Sequence, residues 1–186
     1  MYESTERGTT IEEFRAFIDD RPDWERWELV DGKIIETHSS SIRHQLLIGK
    51  LLFELESIRR GGRAPWTAIM GIGTRVPGDQ YNEILPDVMV LPRFDKVFDW
   101  TCDVLAAFEV TAPETLRRDM VHKRNFYTRI EGLSHYVVLA QDRQEATIFS
   151  RAADFAPRRL TEGSIELPPL GVSLALADLY RDVVLG

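Results

Sequence analysis

Two acids and a lysine stand where their side chains could do chemistry. Asp87 follows Pro86 in the run "EILPDVMVL" (83–91), and Glu109 lies within "VLAAFEVTA" (104–112). Both runs read as buried strands, where an ionised carboxylate is costly unless a cation or hydrogen-bond donors meet it. If the strands are neighbours, the two carboxylates can point into one site. Such oxygen donors suit Mg²⁺ or Mn²⁺, held by one or two carboxylates while water and a phosphate fill the other positions. The backbone carbonyl of Val110 is a natural third ligand. In "ETLRRDMVHKRNFYTRI", Met120, Lys123, Tyr127 and Ile130 recur at three- and four-residue intervals, so they share one helix face. That face is otherwise apolar, and an inward lysine needs an anionic partner. The strand carboxylates are the nearest candidates, and an ammonium beside them can orient a water or stabilise charge on a phosphate. One lysine and two carboxylates are the minimal equipment of metal-dependent phosphodiester hydrolysis.

Structural readings of the same residues stay open at this level. Asp87 can cap a turn after Pro86. Glu109 can reach solvent from a strand end, and Lys123 can snorkel or pair with Asp119.

The elements that must position these residues follow from the hydrophobic pattern. Thr10 before "IEEFRAFI" is an N-cap with acids in the first turn. "RWELVDGKIIET" reads as a β-hairpin turning at Asp31-Gly32. "IRHQLLIGKLLFELESI" places Ile42, Leu46, Ile48, Gly49, Leu52, Leu55 and Ile58 at helical spacing, with a stop at Gly61-Gly62. "WTAIMGIGTRVP" reads as one strand, followed by a turn at Pro77-Gly78 and the Asp87 strand. Residues 95–100 read as a loop before the Glu109 strand, which Pro113 ends. A second long helix then runs to Gly132. "HYVVLAQDRQEATIFS" is a hairpin turning near Asp142, and the tail holds an extended piece and a short helix. Helices therefore flank a mixed sheet with N-terminal and central hairpins, an α/β fold.

The chain has 186 residues, 44% hydrophobic and 28% charged, with no repeat or linker, which predicts one domain over 1–186. No apolar run reaches membrane-spanning length, the N-terminus is no secretory signal, and the single cysteine excludes an internal disulfide framework. A cytoplasmic protein is expected. The net charge of −7 argues against casual nucleic-acid binding. Yet "TLRRDMVHKRNFYTR" sets Arg117, Arg118, Lys123, Arg124 and Arg129 against one acid, Asp119, so local sign opposes global sign.

"WELVDGKIIE", "RHQLLIGKLLFEL", "LPDVMVL" and "FEVTAPETLRRDMVHKRNFYTRIEGLSHYVVL", in that order, resemble the Uma-two family, restriction-endonuclease-like proteins of the PD-(D/E)XK nuclease superfamily. The likeness runs from about residue 10 to residue 180, with a core at about 24–150. It implies a restriction-endonuclease-like fold and a metal-dependent endonuclease chemistry with DNA as the expected substrate. Pro86-Asp87 match the family's "PD", and Glu109-Val110-Thr111 its "E-x-x" strand, with Thr111 where many relatives in the superfamily have lysine. Lys123 matches a lysine moved to the helix. Glu28 matches another family acid close to the metal, and His44 a frequent histidine. Ala112-Pro113-Glu114-Thr115 departs from the family's usual Ser-Pro-Ser-Thr and adds an acid near the helix start.

The reading is therefore a Mg²⁺- or Mn²⁺-dependent nuclease. Asp87, Glu109, the Val110 carbonyl and, as an additional acid, Glu28 serve the metal. Lys123 handles water or charge, and Arg117, Arg118 and Arg124 guide a nucleic-acid backbone. His44 can contact a phosphate or move a proton, although a merely polar helix-surface role is the simpler expectation. A nuclease-fold protein serving only binding or assembly is the alternative, and a homodimer fits either.

Overall fold

The computed structural model describes residues 7–22, 24–37, 41–112 and 118–185, with backbone alone for Arg118 and Asp119. Helix α1 (Ile11–Asp19) opens with a full capping box: Glu13 N–H donates to the Thr10 hydroxyl, and Thr10 N–H donates to the Glu13 carboxylate. Strands β1 (Trp27–Val30) and β2 (Lys33–Glu36) form the expected hairpin. Asp31 (φ 49°) and Gly32 (φ 72°) are both left-handed, as a tight primed turn requires.

Helix α2 (Ile42–Gly62) is capped by Ser41 and buries Leu47, Ile48, Leu51 and Leu55. The stripe expected from sequence is rotated from this one. Ile48 and Leu55 are buried and Leu52 and Ile58 partly so, but Ile42, Leu46 and Gly49 face outward. The apolar residues 46–48 and 51–52 surround too much of the helix for periodicity to fix its phase. The helix also runs through Gly61 and Gly62 to a left-handed Arg63 (φ 50°).

The expected single strand over "WTAIMGIGTRVP" is two. β3 (Trp66–Ile69) ends before Gly71 (φ 83°), and β4 (Gly73–Thr74) pairs in parallel with β6 (Trp100–Thr101), which overlaps the end of the stretch expected to be loop. The second long helix is shorter than expected: a π-helix over Arg118–Lys123 runs into α3 (Arg124–Tyr127). Pro113 and Glu114 lie outside the described residues.

The main sheet contains β3, β5 (Val88–Pro92), β7 (Ala106–Thr111), β8 (His135–Ala140), β9 (Ala146–Ser150) and β10 (Pro157–Leu160). Its order is β10-β9-β8-β7-β5-β3, with β7–β8 parallel and the other pairs antiparallel. The sequence pattern passed over β10. The tail forms a hairpin, β11 (Ser164–Leu167) with β12 (Val172–Ala175), and then α4 (Leu176–Tyr180).

Two cores flank the sheet. On one face Val88, Val90, Phe108, Val110, Val137 and Leu139 pack with α2, the β11–β12 hairpin and α4. On the other, Met89, Ala107, Tyr136 and Val138 pack with Phe126, Tyr127 and Ile130. Side chains alternate across a strand, so Phe108 and Val110 go to the first face and Glu109 to the second. The parallel crossover from β7 to β8 carries the π-helix and α3 over that second face, above Glu109. No helix among the described residues is long and apolar enough to cross a membrane.

Candidate active site at the head of two strands

β5 and β7 are antiparallel neighbours in which Val88 faces Phe108. One step along this register sets Asp87 opposite Glu109, so the two acids hold facing positions on adjacent strands. The Val110 N–H donates to Asp87 Oδ2 at 2.7 Å. The N–H and C=O of one strand residue face the same edge, so the Val110 carbonyl faces the Asp87 edge too. Pro86, unable to donate to a ladder, sits just before β5, where the chain has left the sheet.

Glu109 is 4% exposed and Lys123 2%. Lys123 Nζ donates to Glu109 Oε1 at 2.9 Å, and the Tyr127 hydroxyl donates to the same oxygen at 2.9 Å. Glu28, fully buried on β1, lies 2.8 Å from Lys123 Nζ through its Oε1, which also accepts the Leu85 N–H at 3.0 Å. Its other oxygen, Oε2, is buried without a hydrogen-bond partner among the described residues. Two carboxylates thus share one ammonium. Burial, and then the negative Glu109 beside it, raises the Tyr127 hydroxyl well above the ordinary tyrosine pKa, so it remains a donor across the physiological range.

Asp87 is less enclosed, its side chain 22% exposed, and His44 Nε2 lies 3.2 Å from its Oδ1. His44 therefore stands beside the Asp87 carboxylate rather than on the outer surface of the helix. It sits on the turn before Leu47 and Ile48, on the side of α2 that faces the sheet, and the correct helix phase would have revealed it. Tyr127, one turn beyond Lys123 on the expected face, is the residue whose part in the cluster went unassigned. Its polar tip on an inward face was the available signal.

Arg124 lies with its guanidinium carbon 5.7 Å from the Phe149 ring centre, over β9. Arg117 lies outside the described residues, as does the side chain of Arg118.

Among the described residues no three His, Cys, Asp or Glu side chains gather closely enough to hold a metal ion by themselves. A cation here would rest on Asp87, Glu109 and oxygens from main chain and solvent, a donor set that fits Mg²⁺ or Mn²⁺ rather than zinc.

The family model Uma2, described as "Putative restriction endonuclease", matches residues 11–177. The chain belongs to the Uma2 family. A search of curated proteins finds no match. Among solved structures, the chain is similar to one titled "putative nuclease belonging to DUF820" from Anabaena variabilis ATCC 29413. The TM-score is 0.74 at 14% identity, over 94% of this chain and 99% of that one. At that identity the likeness speaks for the fold, a restriction-endonuclease-like mixed sheet flanked by helices. In this Uma2 chain the family's matched span includes Glu28, Asp87, Glu109 and Lys123 together.

Proposed function

We propose that the chain is a divalent-metal-dependent nuclease that hydrolyses phosphodiester bonds of nucleic acid. The observation that carries this reading is the facing placement of Asp87 and Glu109 in the β5–β7 register, with Lys123 Nζ 2.9 Å from Glu109. Membership of a family described as "Putative restriction endonuclease" supports it, and restriction endonucleases generally use divalent metals. Asp87, Glu109 and the Val110 carbonyl would hold Mg²⁺ or Mn²⁺. When bound, such a cation supplies Lewis acidity to a phosphate and lowers the pKa of a water.

The chain's own groups do the rest. The Val110 N–H fixes one oxygen of Asp87, and His44 reaches the other from α2. Lys123 brings an ammonium to the side of Glu109, where it positions a water or balances charge gathering on phosphate as the phosphorus–oxygen bond breaks. Glu28 holds Lys123 from behind, so its part is positioning rather than ligation. Arg117, Arg118 and Arg124, at and beyond the crossover, supply positive charge for the backbone of a nucleic acid, DNA first among the substrates to test. A cytoplasmic location agrees with the lone Cys102. A homodimer agrees with the open edge strands β3 and β10, and sedimentation would decide it.

One observation favours the binding-module reading. Lys123 is already engaged by two acids, as in a structural ion cluster. Cleavage of single- and double-stranded DNA and RNA with Mg²⁺, Mn²⁺ or EDTA separates the two. Metal-dependent cleavage by wild type, lost in Asp87→Asn and Glu109→Gln variants that still fold, is the expected result. Cleavage that survives either substitution would sink the mechanism, and absence of both cleavage and Mn²⁺ binding would leave the binding module.

A further inference from the structure

Tyr127 is wholly buried, yet its packing explains only its ring. The ring centre lies 5.4 Å from that of Phe126 and 4.7 Å from that of Tyr136, which stacks in turn on Phe149 at 5.5 Å. A phenylalanine would fill this aromatic column equally well. A buried hydroxyl, by contrast, is costly unless it finds a partner. Here the partner is Glu109 Oε1, the same oxygen that Lys123 reaches.

The two donors differ in mechanical character. Lys123 Nζ ends a flexible four-carbon stem and is drawn also to Glu28 at 2.8 Å. Tyr127 has two side-chain torsions, and the aromatic column clamps its ring. Lys123 can therefore shift towards a phosphate while Tyr127 keeps its grip. Pinning Oε1 with a rigid donor fixes the rotation of the carboxylate, and with it the place of the second oxygen.

We infer that Tyr127 is a positioning residue whose hydroxyl sets the orientation of Glu109 for a divalent cation shared with Asp87. The inference rests on the proposed function, of which it refines one part. It requires no role for Tyr127 in contact with substrate. Groups that orient a metal ligand are typically worth about 10–100-fold in metal affinity.

The test is calorimetric titration of Mn²⁺, without substrate, into the full-length wild type, Tyr127→Phe and Phe149→Leu, with thermal melts confirming that each is folded. Tyr127→Phe keeps the ring and removes the hydroxyl alone, and its Mn²⁺ Kd is expected to rise by about tenfold or more. Phe149→Leu disturbs the far end of the column, one ring removed from Tyr127, and leaves Tyr136 and Phe126 against the Tyr127 ring, so it should lower the melting temperature and leave the Kd within about twofold, unlike a loss of ligand orientation. Should Tyr127→Phe bind as wild type does, or both variants weaken binding alike, the hydroxyl has no positioning role. If wild type itself shows no saturable binding, the metal-dependent reading fails, and this assignment falls with it.

Discussion

Glu28 and Glu83 stand on segments that pair with each other, Leu29 and Glu83 exchanging backbone hydrogen bonds at 2.9 Å each way. Both acids are buried. Their surroundings differ. Glu83 accepts from Arg15 Nε at 3.0 Å and Arg75 Nε at 2.7 Å, and both guanidinium groups form ion pairs with it. Arg75 stacks in turn on Trp100, 4.1 Å from the ring centre. The chain at Gly73 passes close to this acid: a Cβ there would lie 2.7 Å from Glu83 Oε1. Among the described residues, Glu28 has a single ammonium, shared with Glu109, and an oxygen without a donor. An acid met by two arginines of its own serves the frame, here tying α1 to β4 and to the segment leading into Asp87. An orphaned buried acceptor costs about 1–3 kcal/mol. A fold that tolerates one beside two further acids gives up stability at that point, which is a common mark of a site.

The largest expected effect comes from Lys123. Lys123→Met leaves Glu28 and Glu109 without the ammonium between them, and stability in urea should fall by about 3–5 kcal/mol, as when one partner of a buried pair is removed. A loss below about 1 kcal/mol, the worth of a surface pair, would mean that the cluster is not the buried charge network described.

Metal should distinguish the two clusters next. Mn²⁺ at about 100 times its Kd is expected to stabilise wild type by about 2.7 kcal/mol, measured as a rise in melting temperature. Asp87→Asn should abolish that rise. Arg15→Ala, which weakens the Glu83 cluster instead, should lower the starting stability and keep the rise. An Arg15→Ala protein that no longer responds to Mn²⁺ would erase the contrast.

Gly73→Ala puts a methyl against Glu83 and should cost about 1–3 kcal/mol, the usual penalty of overpacking. Its Mn²⁺ affinity should match wild type, because the disturbance is confined to the frame.

The smallest effect is one of pH and lies outside both clusters. Burial, followed by the charge of Arg158, lowers the His135 pKa below its ordinary 6.5. The unfolded chain therefore binds the proton first as pH falls. The stability contributed by neutral His135 is complete above about pH 6.5 and declines below it, towards the folded pKa. His135→Gln should flatten that part of the stability–pH curve without altering the Mn²⁺ response. An unchanged slope would mean that His135 does not titrate differently on folding.

Local chemistry was legible in the chain. The Asp31-Gly32 turn, the Thr10 cap and the β8–β9 hairpin depend on neighbouring residues, whose conformational preferences act over a few positions. The inward Lys123 face was readable because charge on an otherwise apolar stripe stands out at any small error of helical pitch, even with a π-helix in place of the expected α-turns. The phase of α2 was not readable, since apolar residues occupy most of its circumference, and the place of His44 beside Asp87 could not be read from it. The break before β4 and the strand β10 were missed because short strands carry too few residues to show alternation.

By itself, then, the sequence determined which groups were available: two acids in apolar strands, a lysine and tyrosine one helical turn apart, and the motif order that marks the family. Tertiary structure decided who meets whom. Only the β5–β7 register sets Asp87 against Glu109, only the crossover lowers Lys123 and Tyr127 onto one oxygen, and only the β1 hairpin brings Glu28 behind them. These are contacts between residues far apart in the chain. Their energies depend on distances of a few ångströms and on the exclusion of water, neither of which is encoded at any single position.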